Sequence, residues 1–228
     1  MVSLPLLAAH GQASQPGRVV AIVGAESTGK TALAQALVAE WLRQGQDAVV
    51  VPEYLRQFCD MAGRTPTVQE QALIADTQTK AIAHAASQHA WVVTDTTALM
   101  TAVYSELVFG DTSLYDMALA AHARADLTLL TALDLPWEAD GLQRDGPHVR
   151  EPVDGLVRQA LMRAGLPFVT VGGQGQARVE QAWSAVAHHW RERTNEDNNR
   201  PRWRWVCEKC DDGDCEQHVL PTSLQPVR

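Results

Sequence analysis

Cationic side chains are in the minority in this chain: 19 lysines and arginines stand against 27 aspartates and glutamates, a formal net charge of −8. A protein that grips a phosphate backbone over a broad face needs the opposite sign, so nucleic acid is not expected as the main partner. Long apolar runs are lacking as well. No stretch approaches the ~20 residues that a membrane span needs. The opening MVSLPLLAAHGQASQPG has a brief apolar run with no basic residues before it, too short for a secretory leader. A cytoplasmic protein away from the membrane is expected. Cysteine is scarce, with four residues, and Cys207, Cys210 and Cys215 fall within nine positions while Cys59 stands alone. In a reducing compartment such crowding suggests metal before disulfide.

At 228 residues the chain can build one α/β domain with a sizeable core and a short extension, but not a second full domain. Residues 1–17, rich in Gly, Ser, Gln and Pro, read as a flexible lead-in. Strand and helix signals then alternate. Val19–Val23 is a short β-branched run bounded by Gly24. Leu33, Ala36, Leu37, Ala39 and Leu42 follow at helical spacing, with Gly45 as a stop. Asp47–Val51 reads as a second strand, Thr67–His89 as a helix, and Trp91–Val93 as a third strand ending in Asp95. Met117–Arg124 reads as helix, Leu127–Leu130 as strand, Val153–Ala164 as helix, Pro167–Val171 as strand, and Arg178–Arg191 as a last helix. This order predicts an α/β fold of the P-loop NTPase type, a parallel sheet with helices on both faces. At Thr194 the composition changes to TNEDNNRPRWRW. The domain is therefore expected over 18–194, with a linker and a small cysteine-rich C-terminal extension over 195–228.

Residues 24–31 read GAESTGKT, which is the Walker A pattern, placed between a strand and a helix. That setting points successive backbone N–H groups at an anion. Gly24, Ala25, Glu26, Ser27, Thr28 and Gly29 would wrap the phosphates of ATP, Lys30 would reach the β- and γ-oxygens, and Thr31 would ligate Mg²⁺. Gly24 and Gly29 can adopt backbone conformations closed to residues with a Cβ.

Ligands of open parallel sheets bind beyond the carboxyl ends of the strands, so acidic residues there are candidates. Asp95 stands where a carboxylate would hold Mg²⁺. Glu53 stands where a group could orient an acceptor hydroxyl and take its proton. Spacing alone allows the two roles to be exchanged. Arg56, one turn beyond Glu53, would either bind substrate or pair with that glutamate. The segment Leu133–Arg144, leading to Arg150, has the makings of a closing lid. Arg144 and Arg150 would meet transition-state charge there, and Asp140 a sugar hydroxyl.

GAESTGKT, Pro52-Glu53-Tyr54-Leu55-Arg56, Thr94-Asp95-Thr96-Thr97, and Pro136-Trp137 through Asp140-Gly141 with Arg144 together resemble the ribosylnicotinamide kinase family. This is the P-loop kinase domain often fused to nicotinamide mononucleotide adenylyltransferase. The likeness covers about residues 18 to 192. It implies transfer of the ATP γ-phosphate to the 5′-hydroxyl of nicotinamide riboside. It also implies Glu53 and Asp95 near ribose and Mg²⁺, Arg144 and Arg150 near the phosphates, and Gly172 and Gly173 near adenine. Two departures are expected: no length for an adenylyltransferase domain, and a cysteine-bearing tail.

In that tail Cys207, Cys210, Cys215 and His218 present three thiols and an imidazole within twelve residues, a set able to close a structural tetrahedral zinc site. Trp203 and Trp205 among Arg200, Arg202 and Arg204 could dock it on the kinase body, on another copy in a homo-oligomer, or on a partner protein. The reading that results is an ATP- and Mg²⁺-dependent kinase of a small nucleoside. Its rivals are a kinase of another nucleoside and a regulatory P-loop ATPase that recruits a partner through a zinc tail.

Overall fold

The computed structural model of the chain describes residues 16–138 and 146–198. The chain divides into two compact units, 1–187 and 188–228. In the first, five parallel strands form one sheet: β1 (Arg18–Val23), β2 (Ala48–Val51), β3 (Trp91–Asp95), β4 (Leu127–Thr131) and β5 (Val169–Val171), in the order β2-β3-β1-β4-β5. The registers pair Val19 with Val92 and Ile22 with Asp95 across β1 and β3, and Val23 with Leu130 across β1 and β4. Val20 to Val23 are fully buried, as are Leu129 and Leu130, which is why these strands read as unbroken apolar runs rather than alternating ones.

The helices are α1 (Lys30–Arg43), α2 (Tyr54–Ala62), α3 (Val68–Gln88), α4 (Ala98–Phe109), α5 (Tyr115–His122), α6 (Arg150–Arg163) and α7 (Gln176–Asn198). Neighbouring strand residues point to opposite faces, and the packing shows both faces covered. Val92 packs beside Val19 with Ala85 of α3, while the next residue back, Trp91, stacks on Trp41 of α1 at 4.5 Å between ring centres. On the first of these faces Val23 and Leu130 meet Leu99, Met100 and Val103 of α4 and Val153, Val157 and Leu161 of α6. The α/β fold with a parallel sheet flanked by helices is thus as the sequence predicts.

Two helices do not show in the sequence pattern. α4 is buried on nearly every side of its first two turns, Ala98 to Val103, so it has no polar stripe to set a period. Its start is fixed instead by the Thr97 hydroxyl, which accepts the Leu99 N–H at 3.3 Å. α2 is only nine residues long and buries just Leu55 and Cys59. α7 continues to Asn198, through the position at which composition places the linker. In the second unit only the stretch from His188 to Asn198 is described, all of it helical. Among the described residues no helix is long and apolar enough to cross a membrane.

Candidate active site

The phosphate loop joins β1 to α1 at the centre of the sheet. Gly24 sits at φ 144° and Gly29 at φ 77°, and Ser27, despite its side chain, at φ 50°. A Cβ on Gly24 would lie 2.2 Å from Oγ1 of Thr131, so the first glycine is required by close approach as well as by conformation. Gly29 caps α1 without offering a side chain to its free N–H groups, and no acidic residue occupies the first turn. The positive end of the helix is left for an outside anion.

Hydrogen bonds hold the loop from within. The buried Thr28 hydroxyl donates to the Ala25 carbonyl at 2.7 Å and lies 2.7 Å from the Thr131 hydroxyl, which in turn donates to the Val23 carbonyl at 3.2 Å. Lys30 Nζ donates to the Ala25 carbonyl at 2.6 Å. Burial pulls the Lys30 pKa below its ordinary value, opposed by the nearby carboxylates of Glu53, Asp95 and Glu26.

Thr31 Oγ1 donates to Asp95 Oδ2 at 2.5 Å. Asp95 is 2% exposed, and its other oxygen, Oδ1, is buried with no hydrogen-bond partner among the described residues. A buried carboxylate oxygen left over beside a hydroxyl fits a hard cation such as Mg²⁺, which takes few protein ligands and completes its shell with water and phosphate. Among the described residues no group of three or more His, Cys, Asp or Glu could hold a metal unaided.

Glu53 ends the β2–α2 turn, and its side chain is 10% exposed. Burial pushes its carboxyl pKa up; the Lys30 ammonium opposes this and Asp95 reinforces it. Arg56 Nε lies 3.7 Å from Glu53 Oε2, while Arg56 also lines the cleft, so both readings of this arginine have a physical basis.

The cleft measures about 440 Å³ and is lined by Ser27 to Ala32, Arg56, Leu135, Pro136 and Glu138. Its roof is the described half of the expected lid. Ser27 Oγ donates to the Glu138 carbonyl at 2.5 Å. Arg150 begins α6 and is 8% exposed; it donates from Nη1 to the Leu135 carbonyl at 2.9 Å, so it stands under the roof rather than in the cleft lining. Its Nε and Nη2 have no hydrogen-bond partner among the described residues. Gly172 and Gly173 follow β5, where their N–H groups donate to Gln181 Oε1 at 2.7 Å and Asp134 Oδ2 at 2.5 Å. Asp140 and Arg144 of the lid, and Cys207, Cys210, Cys215 and His218 of the tail, lie outside the described residues.

Residues 19–178 match the AAA domain family, AAA_28. The chain belongs to that family. No curated protein matches this AAA-domain chain. Among solved structures it is similar to NadR in complex with NR, at 23% identity and TM-score 0.62 over 76% of this chain and 50% of that one. NadR in complex with NAD and AMP-PNP is similar at 23% identity and TM-score 0.60, over 76% and 49%. Thymidylate kinase from Candida albicans is similar at 15% identity and TM-score 0.52, over 79% and 93%. At these identities the likeness establishes a P-loop kinase-like fold. The chain spans about half the length of the NadR chains it matches.

Several residues of the AAA-domain site carry no sequence signal. Gln78, in the middle of α3, accepts the Tyr54 N–H at 2.7 Å on Oε1 and donates from Nε2 to Thr94 Oγ1 at 3.2 Å and, more weakly, to the Thr96 carbonyl at 3.5 Å. It thereby ties the turn bearing Glu53 to the strand end bearing Asp95. Thr131, at the polar end of an apolar strand, left a faint trace. Asp134 and Arg178, considered below, left none.

Proposed function

We propose that the chain is an ATP- and Mg²⁺-dependent kinase that phosphorylates the 5′-hydroxyl of nicotinamide riboside. The observation that carries this is the second carboxylate. A nucleotide switch needs Asp95, Thr31 and Lys30, but not a shielded Glu53 that shares the Lys30 field from the adjoining strand end. The NadR neighbours, solved with NR and with the ATP analogue AMP-PNP, support this donor and acceptor pair.

In this reading the N–H groups at the head of α1 and the Lys30 ammonium hold the β- and γ-phosphates. Thr31 and Asp95 Oδ1 would hold Mg²⁺, which, when bound, neutralises charge on the phosphate oxygens. Glu53 orients the acceptor hydroxyl and takes its proton as the acceptor oxygen bonds to the γ-phosphorus and the bond to the ADP oxygen breaks. Its raised pKa brings it closer to the basicity such a group needs. Arg144 meets the charge on the transferring group while Arg150 holds the roof through the Leu135 carbonyl, Arg56 and Asp140 contact the acceptor, and Gly172 and Gly173 border the adenine.

An ADP-release assay over a panel of nucleosides and nucleotides tests the reading. Stimulation by nicotinamide riboside alone is expected. Preference for another nucleoside or for a nucleotide would reassign the acceptor, and turnover indifferent to all of them would leave a plain ATPase. We further propose that 195–228 forms a zinc-binding extension through Cys207, Cys210, Cys215 and His218. Purified protein should carry about one zinc per chain by metal analysis; metal-free protein of full stability would remove this part.

A further inference from the structure

The strand order sets the phosphate loop of β1 between two flanks: β2 and β3, with Glu53 just beyond the end of one and Asp95 at the end of the other, and β4 and β5. A donor whose γ-phosphate faces those carboxylates must run its nucleoside half across the ends of β4 and β5. A buried cation stands on that flank and takes no part in the chemistry above. Arg178, in the first turn of α7, is 4% exposed. Its Nε donates to the Gly173 carbonyl at 2.8 Å, and its Nη1 to the Thr28 carbonyl at 3.0 Å and, more weakly, the Val171 carbonyl at 3.5 Å. Its Nη2 donates to Asp134 Oδ1.

Asp134 completes the arrangement by accepting the Gly173 N–H on Oδ2 at 2.5 Å. A Cβ on Gly172 would lie 2.9 Å from the same oxygen, and Gly173 sits at φ 85°, so the carboxylate shapes the turn after β5. One planar fork thus joins the crest of the phosphate loop, the segment leaving β4 and the loop 172–175. An ammonium has three donors but all on one nitrogen, so it cannot span partners that the fork reaches from three separate nitrogens. The inner bonds of the phosphate loop, from Thr28, Thr131 and Lys30, do not depend on it.

We propose that Arg178 is a positioning residue that sets the spacing between the phosphate loop and loop 172–175, so that one nucleotide engages both, with Asp134 as the counter-charge that holds the fork. This rests on the reading of the loop as a nucleotide site and not on the acceptor. The test is calorimetric binding of Mg·ATP and of inorganic tripolyphosphate to the full chain and to Arg178→Lys and Arg178→Met. Wild-type binding, measured first, carries the nucleotide reading by itself; a wild type that binds neither ligand sinks both readings before any variant is made.

The variants should weaken ATP by about tenfold or more while tripolyphosphate changes less than about threefold. In turnover, KM for ATP should rise with KM for the acceptor unchanged. Equal weakening of both ligands, or unaltered ATP affinity, overturns the proposal. Should Arg178→Met fail to fold, Asp134→Asn, which keeps an oxygen for Gly173 but sets an N–H₂ against Arg178 Nη2 in place of the charged acceptor, should give the same ranking. Equal weakening there overturns it too.

Discussion

The two flanks of the phosphate loop are braced by opposite chemistries. On the β4–β5 side a charged pair, the buried Arg178 with the exposed Asp134, fastens three segments. On the β2–β3 side a neutral amide, Gln78, does a similar task between the Tyr54 N–H and Thr94. The difference follows from what each flank must protect. Glu53 owes its raised pKa to burial, against the pull of both Lys30 and Arg56; a further cationic brace beside it would pull that pKa down and weaken the proposed base. Where no titrating group does chemistry, the stronger ionic brace carries no such penalty.

Glu53→Gln probes this contrast with the largest expected effect. It should lower kcat by ~10²–10⁴-fold, the range for a lost general base, while ATP affinity is nearly kept. In the unaltered enzyme Glu53 must be ionised to accept a proton, so kcat/KM should fall as the pH drops through a midpoint above the ordinary glutamate value of 4.5. The variant should lose that acid limb. A limb that survives in Glu53→Gln would assign the proton to another group.

A third tie crosses between the flanks. His122 is 2% exposed and stands within hydrogen-bond distance of Thr97 beyond β3 and Thr128 on β4, at 2.8 and 2.9 Å. Burial lowers its pKa from 6.5 to about 4. The unfolded chain takes up a proton below the higher value whereas the folded one resists until the lower. Stability should therefore decline as pH falls from 6.5 to 4, by ~3 kcal/mol in total from this group. Denaturant titrations of wild type and His122→Gln at several pH values measure it; parallel slopes in the two proteins would refute the assignment.

The smallest effect expected is from Gln78→Leu, which leaves the Tyr54 N–H without its acceptor and should cost ~1–3 kcal/mol of stability. If the amide aligns Glu53 with Asp95, kcat should fall while KM for ATP holds. A stability loss alone would reduce Gln78 to a core residue.

The phosphate loop was legible because its signal is local: eight consecutive residues specify the turn, the helix head and the cation. Glu53 and Asp95 were singled out because a parallel sheet makes strand ends informative, and the structure brings both near Lys30. Arg178 was not, since its bond to Thr28 spans 150 residues, and nothing near position 178 tells such an arginine from a solvated one. Gln78 was hidden for the same reason, one glutamine among several in a polar helix. α4 was missed because burial on nearly every side of its first two turns erases the periodicity that marks a helix.

The placing of β1 at the middle of the sheet has a kinetic corollary. In the proposed reaction donor and acceptor would approach from opposite edges, so neither would bar the other's door and neither would have to leave before the other arrives. Initial-rate plots at varied ATP and nucleoside should intersect, the mark of a ternary complex reached in either order. Parallel lines would mean that the phosphoryl group pauses on the enzyme.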